Sequence, residues 1–211
     1  LLSGCTSSQN VNPMPFSSEE ALLRYPYTQL DNRQQSVYKA LYDGISDMKE
    51  KIQLPYTVSG DEYEMLFTLL YRQEPQFFYL DGKYMVDDKI SSAKVSYKYS
   101  VAETENMQSE INQKVQSIMS DVNSYDSQYE KFLYIHDYIA DNASYNSQLS
   151  YDTNTIYGCI VNNKAQCEGY SKTLVYLSRL AGINAMTIIG HTDDGTNHEW
   201  NIIQIDGKYY N

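Results

Sequence analysis

Between Cys167 and Asn211 the hydrophobic period changes once, from helical to alternating, and that change constrains the chain more than any other feature. After Cys167, the positions Tyr170/Ser171, Leu174, Leu177/Ser178 and Ala181 recur at steps of three and four, which predicts a helix with the cysteine at its head. Gly182 is suited to close it. Asn184 to Gly190 is rich in strand formers, His191 to Asn197 is a polar turn, and His198 to Ile205 alternates again. Asp206-Gly207-Lys208 reads as a tight turn into a third strand starting at Tyr209.

A cysteine at a helix start followed by a histidine on a strand suggests a thiol nucleophile with its proton carrier. A thiol attacks carbonyl carbon only as the thiolate. A helix N-terminus offers free N–H groups and the positive end of the macrodipole, and an adjacent imidazolium adds a full charge. Cys167 and His198 are the candidate pair. Strand alternation puts His198, Trp200 and Ile202 on one side, so Trp200, the only tryptophan, flanks the histidine. It fits the wall of a substrate tunnel or ordinary core packing equally well. Glu168, next to the cysteine, would oppose thiolate formation if it pointed inward.

The rest of the chain reads as support. Residues 1–16 begin Leu-Leu-Ser-Gly-Cys and continue as a Ser/Asn/Pro-rich tether. That opening resembles the lipobox of bacterial lipoproteins, which implies lipidation of Cys5 and an extracytoplasmic, membrane-anchored protein. Residues 17–100 read as a small α+β unit. Ser17 caps a short helix that Pro26 ends; a longer helix runs from Asp31 to about Lys51 with Val37, Leu41, Ile45, Met48 and Ile52 on one face, stopped by Pro55. A helix after Ser59-Gly60-Asp61 buries Tyr63, Leu66, Phe67 and Leu70. Phe77–Leu80 and Tyr84–Asp87 read as a hairpin about Asp81-Gly82-Lys83, followed by a strand through Val95, Tyr97 and Tyr99. In 101–211, helices are expected over Glu103–Val122 and after Asp126-Ser127, the second with Tyr129, Phe132, Leu133, His136, Ile139 and Ala140 inward, His136 being a satisfied core residue.

The balance of 16 basic against 27 acidic residues, −11 overall, with no clustered basic stripe, argues against nucleic acid and anionic lipid surfaces as partners. It favours a basic or lysine-bearing peptide. Three cysteines make no disulfide framework. The spacings of Cys159 to Cys167 and of His191 to His198 fit no common structural zinc site, so no metal or other cofactor is expected, and Cys159 reads as a small buried hydrophobe.

The run Tyr-Gly-Cys-Ile-Val-Asn-Asn-Lys-Ala-Gln-Cys-Glu-Gly-Tyr-Ser-Lys (157–172) resembles the nucleophile segment of the bacterial transglutaminase-like superfamily. So do Ala-Gly-Ile-Asn-Ala (181–185), His-Glu-Trp-Asn (198–201), Asp-Gly-Lys-Tyr-Tyr-Asn (206–211), the helix at 129–139 and Tyr145. The resemblance covers about residues 125–211. It implies a papain-like α+β core, a nucleophile helix packed on an antiparallel sheet, with Cys167 as nucleophile, His198 as general acid/base, and Trp200 and Tyr170 beside the substrate. The implied activity is acyl transfer on a protein or peptide substrate at the bacterial cell surface, by a monomer. In that family an aspartate orients the imidazole. The register here puts that position about two residues past Asn211, so the last strands are expected to be truncated, with Asn211 a weak substitute. A second reading stays open: a non-catalytic module of the same fold that binds peptide or cell-wall polymer.

Overall fold

The computed structural model describes residues 16–146, 148 and 152–211. Cys5 and the lipobox-like opening lie outside the described residues. In chain order the elements are α1 (Ser18–Ala21), α2 (Tyr25–Thr28), α3 (Asn32–Ser46), β1 (Lys51–Ser59), α4 (Gly60–Gln73), β2 (Leu80–Tyr84), β3 (Lys89–Tyr97) and α5 (Val101–Val122). Then follow α6 (Gln128–Asn142), β4 (Ser144–Tyr145), α7 (Ile156–Ile160), β5 (Lys164–Ala165), α8 (Cys167–Leu180), β6 (Asn184–His191), β7 (Asn197–Ile205) and β8 (Lys208–Tyr210). This is the expected α+β architecture, with α8 packed on the antiparallel sheet β6-β7-β8. Among the described residues no helix is long and apolar enough to cross a membrane.

Side-chain caps set most of the helix starts. Asp31, Ser100 and Ser127 each accept from the third helical N–H, and Gln34, Glu103 and Glu130 reach back to complete capping boxes. Ser59 caps α4 in the same way, without the reciprocal bond.

The structure corrects several expectations. The helix from Asp31 stops at Ser46 rather than near Lys51, because Met48 turns the chain with a φ of 51°. Ile52, Leu54 and Val58 then alternate inward on β1. Pro55 does not stop this strand: it is exposed on a sheet edge, within the register shift between Gln53 and Val58, where no ladder N–H is needed. Pro26 likewise opens α2 instead of ending a helix, since a first-turn proline gives up no hydrogen bond.

Asp81-Gly82-Lys83 is not a hairpin turn. It lies inside β2, which pairs with β3 at Leu80↔Tyr97 and Tyr84↔Val95 with an irregularity between them. Gly82 takes a φ of 75° there. A bulge and a turn call for the same left-handed glycine, so the residue types do not separate them.

On α6 the buried residues are Ile135 and Ile139, while Tyr129, Leu133 and His136 are exposed. His136 is therefore not a core histidine; its Nδ1 lies 2.9 Å from the exposed carboxylate of Asp137. Apolar and tyrosyl residues surround this helix on every side, so period alone singles out no face, and tyrosines tolerate half-exposure.

The main core is continuous from Val37 in α3 to Leu177 in α8, so residues 17–100 and 101–211 share it. A smaller cluster of Val175, Ile183, Ala185, Ile203 and Ile205 joins α8 to its sheet. An ionic knot crosses between the halves. Glu74, fully buried, accepts from Arg24 Nε (2.9 and 3.1 Å), Tyr38 Oη (2.7 Å) and Gln76 Nε2 (2.9 Å), with Arg179 of α8 at 3.5 Å. Burial pushes the Glu74 carboxyl up, but the charges of Arg24 and Arg179 override it and hold it below the usual range.

Candidate active site

Cys167 is the first residue of α8 and is half-buried. Among the described residues α8 is the only helix of this length or longer that begins without a side-chain cap, its N-cap being Gln166. The first-turn N–H groups are thus left for another acceptor. The segment before the cysteine is fixed from two directions. β5 pairs in parallel with β4 just after α6, and Gln166 N–H donates to the Thr153 carbonyl at 2.9 Å. That carbonyl also dictates Gly169, where a Cβ would stand 2.3 Å from Thr153 O.

Tyr170, a candidate for substrate contact, donates its hydroxyl to the Ala143 carbonyl at 2.6 Å and stacks nearly parallel on Tyr145 at 6.3 Å. It ties α8 to the end of α6. Cys159 is buried in α7 as expected; burial pushes its thiol up to about 11, against a Thr173 hydrogen bond that lowers it.

His198 and Trp200 share a face of β7, their rings 6.1 Å apart and 24° from parallel. The opposite face is the one turned to α8: Asn201 Nδ2 donates to Ser171 O at 3.0 Å, and Ile203 packs with Val175. Alternation then points Glu199, not His198, inward. Glu199 is buried and meets Arg72 Nη1 at 2.9 Å, whereas His198 is exposed. Among the described residues no hydrogen bond links the free Cys167 thiol to the His198 ring, whose neighbour is Trp200. His191 ends β6 in solvent.

The inward side carries a charge cluster absent from the sequence expectations. Glu168 does turn inward, but it is matched by Lys172 one turn on, Nζ to Oε1 2.7 Å. The Lys172 ammonium also lies 4.1 Å from the centroid of the Tyr71 ring. Burial pushes Glu168 up; Lys172, Arg72 and Lys98 outweigh it and keep the carboxyl below its ordinary range. For Glu199 the balance reverses: burial and the Glu168 charge raise it, and Lys172 and Arg72 offset only part. The Glu168/Lys172 spacing is a helical ion-pair signal visible in the sequence. Arg72 and Glu199 stand too far apart in the chain to be paired by reading it.

Residues 110–211 match the family described as the transglutaminase-like superfamily. Among solved structures, a candidate cysteine protease from Cytophaga hutchinsonii is 19% identical, over 47% of this chain and 35% of that one, with a TM-score of 0.41. A protein described as a TGase is 15% identical, over 75% of this chain and 49% of that one, with a TM-score of 0.44. The chain thus spans less than half the length of either structure. No curated protein matches it.

Proposed function

We propose, from the match of residues 110–211 to the transglutaminase-like superfamily, that the protein catalyses thiol-dependent acyl transfer on peptide carboxamide or peptide bonds. Cys167 is the nucleophile and His198 the general acid/base. The proton of the thiol passes to the imidazole, and sulfur bonds to the carbonyl carbon. The carbonyl oxygen takes up the negative charge against the uncapped N–H groups at the head of α8. The C–N bond then breaks, the imidazolium returns its proton to the leaving amine or ammonia, and a thioester remains. A second amine, or water, attacks that thioester and regenerates the thiol. Trp200, stacked beside His198, would line the approach of the substrate. The lipobox-like start would locate this chemistry outside the cytoplasm, with Cys5 as the lipidated residue.

The observation that carries the reading is the position of Cys167, first in the one long helix among the described residues whose N-terminal donors no side chain takes. The test is thiol reactivity joined to turnover. Cys167 should react with iodoacetamide faster than free cysteine. A glutamine-bearing peptide should become linked to a labelled primary amine, or be hydrolysed, and Cys167→Ala should abolish both reactions. Ordinary alkylation together with full activity in Cys167→Ala would sink the proposal.

One observation favours a second reading, a binding module without turnover: the strand residue facing α8 is Glu199, while His198 looks outward. That reading predicts peptide or cell-wall binding that His198→Ala leaves unchanged, with no thioester trapped under any condition.

A further inference from the structure

The outer side of α6 carries a groove of about 360 Å³ that includes neither Cys167 nor His198. Its walls are three tyrosines and three carboxylates: Tyr125, Tyr134, Tyr138, Glu130, Asp137 and Asp141. The rings form a ladder, Tyr125 to Tyr134 at 5.7 Å and Tyr134 to Tyr138 at 6.5 Å. The middle rung is held by its hydroxyl, which donates to Asp121 at 2.7 Å. Leu133, 42% exposed, adds apolar surface. None of the lining residues is a lysine or arginine. Glu130 is partly engaged by its capping box and Asp137 by His136, while Asp141 has no partner among the described residues.

We propose that this groove docks an extended peptide segment bearing several lysine or arginine side chains. Aromatic faces attract ammonium and guanidinium groups, and carboxylates beside them add charge-assisted hydrogen bonds. Spacing supports an extended occupant. Asp137 and Asp141 are separated by about 6 Å along the helix axis and Glu130 and Asp137 by about 10 Å. Those steps match residues two and three apart in an extended chain, about 7 and 10 Å. A neutral sugar polymer would gain from the rings but nothing from three carboxylates on one stripe. The net charge of −11 steers a cationic segment towards the molecule; the groove gives it a place to settle. This site is independent of the acyl-transfer reading.

The experiment uses the whole chain and a fluorescent hexalysine probe, with anisotropy for affinity and amide chemical shifts for location. Hexalysine should bind and should shift amides along α6. Asp137→Asn/Asp141→Asn should weaken binding at least about tenfold, since two of the three paired charges are lost. Asp87→Asn/Asp88→Asn, the same change of charge at another acidic surface, should alter it less than about twofold at physiological salt. Equal weakening by both double variants would mean diffuse attraction and overturn the proposal. So would hexalysine failing to move the α6 amides of the wild-type chain, or a neutral N-acetylglucosamine oligomer moving them while hexalysine does not.

Discussion

The Gln73 carboxamide pairs with both main-chain groups of Thr187: its Nε2 donates to the carbonyl at 2.9 Å and its Oε1 accepts from the N–H at 3.2 Å. β6 is an edge of its sheet, and one side chain at the end of α4 fills a hydrogen-bonding position that a neighbouring strand would take. Thr187 returns the contact through its hydroxyl to Arg72 O at 3.2 Å.

Gln73→Ala should therefore destabilise the fold by about 2–6 kcal/mol, because two buried main-chain groups lose their partners at about 1–3 kcal/mol each. For a chain of this size that corresponds to a melting temperature lower by roughly 4–24 °C. Gln73→Glu keeps the shape but loses the donor, and should recover less than half of the loss. A wild-type melting temperature in Gln73→Ala would show the bridge to be dispensable.

Glu74 gives an acid-side prediction. Its folded pKa lies below its unfolded one, so its contribution is full above the unfolded value and is lost as pH falls through the folded value. Urea unfolding of the wild type should show stability declining below about pH 4.5. Glu74→Gln should be flatter across that range. It should also be less stable at pH 7 by about 3–5 kcal/mol, since two buried guanidinium groups lose their counter-charge.

Glu199 should behave in the opposite sense. Its folded pKa is raised, so the stability it contributes is present at low pH and is lost as pH rises from the ordinary glutamate range through the folded value. The difference in unfolding free energy between wild type and Glu199→Gln should shift against the wild type over that interval and then level off. A difference that is constant with pH would refute the environment assigned to this carboxyl.

Gly169→Ala should damage the cysteine's surroundings specifically. A methyl 2.3 Å from a main-chain carbonyl must displace either the Thr153 turn or the first turn of α8. The expected result is faster amide exchange over 152–158 and at the start of α8, with exchange in α3 and α4 unchanged. The alkylation rate of Cys167 should change as well. Gly182→Ala, where nothing lies within 4 Å of the added carbon, serves as a control for conformational strain alone.

How much of this was legible in the sequence depended on range. The α8 helix, the turn after His191 and the tight turn at Asp206-Gly207-Lys208 follow from local pattern and turn chemistry, and the structure has them within a residue or so. The stacking of His198 with Trp200 follows from a period of two. What alternation does not state is which face of β7 meets the helix; that is decided by Asn201 and Ile203 against α8. β1 was obscured by Pro55, whose usual meaning fails on an exposed edge. Arg72, Gln73 and Glu74 read as an ordinary polar helix end, because their partners Glu199, Thr187 and Arg179 lie more than a hundred residues away.

The family match begins at residue 110, in the middle of α5. A gene fragment cut there would encode Arg179 without Glu74, and β6 without the amide that completes its edge. The matched stretch therefore ends short of its own contacts: its core, its buried guanidinium and its sheet edge are all completed by residues that precede it.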